Sequence, residues 1–95
     1  MLFIRLIKLK SPYGRGQKAW FDMKHNEALE WGVKFHHTYF TLGKYDVVSI
    51  IEAPDEKSAM KYAMATANEA ESATLVAIPK DEVDGWLSNS STKDK

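Results

Sequence analysis

The sequence predicts a small α+β domain: a four-stranded antiparallel sheet, two helices on one of its faces, and a short third helix at the end. Three observations point there. Strand-like and helix-like segments follow one another in the order strand, helix, strand, strand, helix, strand. Gly43-Lys44 joins the two middle strands with glycine first, the pattern of a tight hairpin. Finally, 95 residues, 44% hydrophobic and 12% aromatic, supply one packed core and not two.

Residues 2–9, LFIRLIKL, are mostly apolar, with Arg5 and Lys8 on opposite faces. That suits a central strand with both faces largely covered. SPYGRGQ (11–17) is a loop by its Pro, Ser and two Gly. A helix is predicted over 18–31, free of proline and glycine, with Gly32 as its cap. Its apolar positions are Trp20, Phe21, Ala28 and Trp31, with Met23 to one side, and Lys24 and Glu27 fall in or beside the stripe.

Residues 33–42 and 45–53 read as the hairpin strands. With Gly43-Lys44 as a type II′ turn, Leu42 faces Tyr45 and Phe40 faces Val47, and His36 reaches Ile51 on that face. On the other, Thr41 meets Asp46, Tyr39 meets Val48, His37 meets Ile50 and Phe35 meets Glu52. Pro54-Asp55 starts the second helix, Asp55 as N-cap and Glu56 in the first turn. Ala59, Met60, Ala63, Met64 and Ala67 form its narrow apolar stripe, read as core. SATLVAI (72–78) is the last strand. Pro79, Asp81 and Glu82 open a terminal helix ending near Trp86 and Leu87. The single domain spans 1–87, and 88–95, SNSSTKDK, reads as a disordered polar tail.

This order is the split βαβ, or ferredoxin-like, arrangement. Its helices cover one sheet face and leave the other open. The strands carry apolar side chains on both faces, and a monomer tolerates a large bare apolar patch poorly. The open face therefore predicts a homodimer or higher homo-oligomer, most simply a second copy across a two-fold axis.

The stretch YFTLGKYDVVSIIEAPDEKSAMKYAM closely resembles the core of the GYD-domain family, marked by a T-L-G-x-Y-D hairpin, an apolar strand and E-A-P-D-(D/E). The matching positions are Thr41, Leu42, Gly43, Tyr45 and Asp46, then Glu52, Ala53, Pro54, Asp55 and Glu56. Residues 2–9 and SATLVAI extend the resemblance over 2–78, while NEAES (68–72) departs from it by lacking a glycine before the final strand. The resemblance implies a ferredoxin-like α+β fold of the dimeric kind and leaves the chemistry open.

Composition narrows the function. Thirteen basic and thirteen acidic residues cancel and are dispersed, unlike the basic excess that phosphate neutralisation requires, so no nucleic-acid partner is expected. Without cysteine there is no disulfide, thiolate metal site or Cys nucleophile. No apolar run approaches the roughly 20 residues that span a bilayer, and MLFIRLIKLK lacks a signal-peptide cleavage site, so the reading is a cytoplasmic protein without a membrane partner.

The candidate ligand-binding residues are His37, Tyr39, Tyr45, Asp46 and Glu52. Tyr45 and Asp46 offer polar anchors beside Lys44, an anion clamp; equally, Gly43 and Asp46 serve as corner chemistry, with Gly43, Pro54 and Asp55 structural. Glu52 inside an apolar strand either sits at the sheet margin or pairs, with His37 across the hairpin or with Lys10, Arg5 or Arg15. His36 and His37 are adjacent and so point to opposite faces of a regular strand; no metal and no cofactor is expected. SPYGRG lacks the frame of a phosphate loop. The leading function is a homo-oligomeric small-molecule-binding module. A cofactor-free enzyme of the dimeric α+β barrel kind and a structural or interaction subunit without ligand are the alternatives.

Overall fold

The computed structural model describes the backbone of residues 1–94, with side chains as far as residue 88. The apolar first strand, β1 (Leu2–Leu9), lies inside the sheet. Helix α1 (Arg15–Glu30) leads to the hairpin of β2 (Lys34–Phe40) and β3 (Val47–Glu52), and α2 (Glu56–Ala65) leads to β4 (Ala70–Ala77). The sheet order is β2-β3-β1-β4 and every neighbouring pair is antiparallel, which is the ferredoxin-like topology. Helix α3 (Lys80–Asp94) follows β4 and runs past the expected end near Leu87. Beyond Ser88 the expected disordered tail lies outside the residues whose side chains are described.

Alternation sorts β1 into two faces. Phe3, Arg5 and Ile7 are buried toward the helices, while Leu2, Ile4 and Leu6 are half-buried on the other side. Phe3 and Ile51 join Ala28, Val33, Ala53, Ala59 and Tyr62 in the main core. Burying each of the two large side chains contributes roughly 1.5–3 kcal/mol. Ile7, Val47 and Ala70, backed by Leu9 and Phe21, make a second cluster toward the other end of the sheet.

Helix α1 begins at Arg15, three residues before the predicted start. Gly14 is its N-cap, and the Gln17 side chain accepts the Gly14 N–H at 3.1 Å, the half of a capping box open to a residue without a side chain. At the other end Gly32 (φ +84°) donates to Leu29 O and Val33 donates to Ala28 O, a Schellman closure sealed by the buried Ala28 and Val33. Lys24 lies over the Trp20 ring at 5.5 Å and reaches Glu27 at 3.4 Å, which explains how charged residues sit inside the stripe.

Two hairpin expectations are corrected. The strands stop at Phe40 and Val47, so the connection is longer than Gly43-Lys44 and the Leu42–Tyr45 pair does not form. Thr41 N–H still reaches Asp46 O, but Asp46 N–H turns away to Ile7 O on β1, both at 2.8 Å. At the far end a bulge at His36 places Phe35 opposite Ile51 and Lys34 opposite Glu52, in place of the predicted His36–Ile51 and Phe35–Glu52 pairs. Burial drives the slip, because Phe35 thereby reaches the core and packs edge-on to Tyr62. Between His37 and Phe40 the predicted register holds.

Asp55 caps α2 by accepting Ser58 N–H at 2.8 Å. The buried stripe of that segment is Ala59, Tyr62 and Thr66, not the predicted methionine stripe; Met60 and Met64 are 62% and 70% exposed. Tyr62 and Thr66 turn inward because Arg5 needs them: its guanidinium lies over the Tyr62 ring and donates to the Thr66 hydroxyl. Trp86 on α3 is likewise exposed.

Candidate functional site

A helix face is only as wide as its helices. β2 sits at the sheet edge, and its inward residues Thr38 and Phe40 remain exposed. Between this uncovered strip and α1 lies a cleft of about 260 Å³. The loop before α1 supplies Tyr13, the helix supplies Phe21, and β2 supplies Phe35 and Phe40 as aromatic walls. Tyr13 meets Phe40 edge-on at 4.9 Å and Phe21 at 6.5 Å, so the loop is held against both sides of the opening. The floor is Ile7, Leu9 and Val47.

Polar groups converge on this apolar shell from four elements. Thr38 and Ser49 face each other across β2 and β3 with their hydroxyls 3.3 Å apart. His25, from α1, stacks on Phe35 with ring centroids 3.3 Å apart. Burial lowers the His25 pKa, opposed by the nearby charge of Asp22, so the imidazole is neutral at neutral pH and offers both a donor and an acceptor. Asp22, at the cleft margin, is itself held by Lys18 at 2.6 Å. Tyr62 closes the inner end. Burial raises its phenol pKa while Arg5 pulls the other way.

Behind Tyr62 stands Arg5, 1% exposed. One of its nitrogens donates to Thr66 Oγ1 at 3.2 Å and Ser72 Oγ at 3.1 Å, and the guanidinium carbon sits 4.5 Å from the Tyr62 ring centre. Burial lowers its pKa, an effect opposed by Tyr62. Such a site provides shape, stacking surfaces, and hydroxyl and imidazole hydrogen bonds, with the buried charge of Arg5 against Tyr62 and outside the lining. Among the described residues no cluster of three or more His, Asp or Glu is placed to hold a metal ion.

The residues singled out from the sequence lie elsewhere. His37 and Tyr39 stack at 5.9 Å on the open face, as alternate strand positions do. Glu52 is on the same face at the far end of the sheet, but its partner is His36 at 3.0 Å, not His37. That hydrogen bond, helped by the charge of Lys34, lowers the Glu52 pKa. The bulge corrects a further expectation: His36 contacts Glu52 on the face that His37 also occupies, so the adjacent histidines do not point apart. Tyr45 and Asp46 form the corner, Tyr45 with Lys44 over its ring at 5.6 Å, and Asp46 against the end of β1. None of the five lines the cleft.

His25, Tyr62 and Arg5 carried no motif. The one sequence signal was Arg5 in an apolar strand with Lys8 on the opposite face, which obliges one cation to point at the helices. No helix among the described residues is long and apolar enough to cross a membrane. The GYD-domain family model matches residues 13–87, which include the whole cleft except Ile7 and Leu9 of β1. No curated protein matches the chain.

Proposed function

The chain belongs to the GYD-domain family, and we propose that it works as a homo-oligomeric module binding a small molecule in the α1–β2 cleft. The observation that carries this reading is the convergence of Thr38, Ser49, His25 and Tyr62 on an aromatic-walled cavity. Apolar walls with a few oriented polar groups are the usual make-up of a ligand site. At about 260 Å³ the cleft falls just under the roughly 300–1,000 Å³ of drug-sized pockets. The ligand is therefore small, on the scale of one substituted ring.

Self-association rests on the opposite face. Register places Ile4, Ile50 and Leu75 side by side there, flanked by Leu2, Leu6, Val48 and Tyr39. The core clusters of the described residues lie on the other face, and a second copy is the simplest cover for this one. A chain without cysteine, and with no helix among its described residues long and apolar enough to cross a membrane, suits a cytoplasmic setting.

Native mass spectrometry of the purified protein, paired with a denaturing run, tests the proposal. A dimer or larger assembly with extra mass per subunit supports it and supplies the compound's mass. A monomer that takes up no small aromatic probe overturns it. One observation favours a second reading, a cofactor-free enzyme: His25 is a neutral imidazole inside the cleft, suited to proton transfer. Turnover abolished in His25→Gln, with binding retained, would select that reading.

A further inference from the structure

We infer that the molecule held in the cleft is an anion, a planar carboxylate or its like, recognised through the buried charge of Arg5. This rests on the cleft being the ligand site and adds the ligand's charge.

The argument begins with what Arg5 lacks. Its partners are the hydroxyls of Thr66 and Ser72 and the face of Tyr62, all neutral. Among the described residues it makes no ion pair, whereas Lys18, Lys24 and Lys80 each hold a carboxylate. Its Nε has no hydrogen-bond partner, nor does the hydroxyl of Thr74, the residue opposite it on β4. A buried charge is normally paired, because removing it from water is expensive and only an opposite charge or a full set of hydrogen bonds offsets that. Arg5 has neither in full.

Tyr62 is the link between this charge and the cleft. Arg5 is opposite Ser49 on β3 and two residues from Ile7, on the same sheet face, and Tyr62 lies against it. The guanidinium itself reaches Thr66 and Ser72, but its carbon lies 4.5 Å from the centre of the Tyr62 ring, and Tyr62 lines the cleft. In that low-dielectric wall the charge is poorly screened, and it favours an anion. The other charged group at the margin, Asp22, is exposed and paired with Lys18 at 2.6 Å, so water screens it more than it screens Arg5. The Tyr62 phenol, its pKa raised by burial, stays a neutral hydrogen-bond donor.

The test uses three planar probes of one shape: benzoate, benzamide and benzamidine, titrated into the wild-type protein and followed by backbone amide shifts. The expected order is benzoate tightest, by about tenfold over benzamide, with benzamidine weakest and shifts centred on His25, Thr38 and Ser49. The preference should persist in about 0.5 M NaCl, because a buried charge escapes the screening that weakens surface lysines. In Arg5→Gln the benzoate preference should vanish. If that variant does not fold, the wild-type series decides. Benzamide or benzamidine binding in the cleft as tightly as benzoate overturns the anion and leaves the cleft reading intact. A preference lost in high salt overturns the role of Arg5. No cleft binding by any of the three overturns both.

Discussion

The Asp46 carboxylate accepts the backbone N–H of Leu9 at 2.8 Å, taking the place of the carbonyl that β3 would supply had it continued along β1. The same residue's N–H donates to Ile7 O, and its C=O accepts from Thr41. One residue thus ties the ends of β1, β2 and β3 together. This is why the turn carries an aspartate at that position: the acceptor must reach sideways to the next strand.

Replacing Asp46 by alanine leaves the Leu9 N–H without that partner, a loss of about 1–2 kcal/mol. Asparagine keeps a carbonyl oxygen in the same place and should lose less than half as much. Urea denaturation of the two variants checks this. An asparagine variant as damaged as the alanine one would mean that the charge, and not the acceptor, matters. Probe binding in the cleft should survive both changes, since Asp46 does not line it.

The two positive-φ glycines should respond differently to alanine. Gly43 (φ +104°) has open space where a Cβ would go, so only the left-handed backbone is strained, by about 1 kcal/mol. At Gly32 (φ +84°) the added carbon would lie 2.8 Å from Pro54 Cγ, where the end of α1 meets the start of the second helical segment. Backbone strain and collision add there, and about 2–4 kcal/mol should be lost. Equal melting temperatures for Gly32→Ala and Gly43→Ala would contradict the close approach.

His25 makes stability depend on pH. Its folded pKa is lowered by burial, so in mildly acid solution the unfolded chain binds the proton more readily. The stability linked to this group is fully present above the unfolded value of about 6.5, declines as pH falls through it, and levels off below the folded value. Asp22 opposes the shift and shortens the window. His25→Gln should flatten this part of the profile, from the unfolded value of about 6.5 downward, read by thermal melts of both proteins. Parallel wild-type and variant profiles would rule out His25 as the source.

Much of this fold is written in local pattern. LFIRLIKL, with cations on opposite faces, specifies β1 to the residue, and Pro54-Asp55 announces the cap of α2. What pattern misses depends on competition between distant residues. Period-two alternation cannot anticipate an inserted residue, and the bulge at His36 exists because Phe35 gains a place on the core. The Met60 and Met64 stripe fails for a similar reason: the buried guanidinium of β1 recruits Tyr62 and Thr66, turning the helix toward itself. Gly14-Arg15-Gly16 looks like loop, yet the chain closes its first helical turn there with Gln17. The cleft was invisible because its polar residues come from α1, β2, β3 and α2, and no two of them form a motif.

The open face offers the sharpest test of assembly. Ile4 and Ile50 are directly opposed at its centre, with Leu75 across the β1–β4 pair. In a lone chain a lysine at position 50 can lay its stem along the sheet and carry its charge to water, so folding should be nearly unaffected. At the centre of an interface the same charge would be buried unpaired, and association should weaken by at least about tenfold. Ile50→Lys is therefore expected to run as a folded monomer, with an unchanged far-ultraviolet circular dichroism spectrum, at concentrations where the wild type is assembled. Lys44→Glu, on the exposed hairpin loop, is the control and should leave assembly intact. If Ile50→Lys assembles as tightly as the wild type, subunits meet through some other surface, and the exposed Trp86 and Leu87 of α3 become the next place to look.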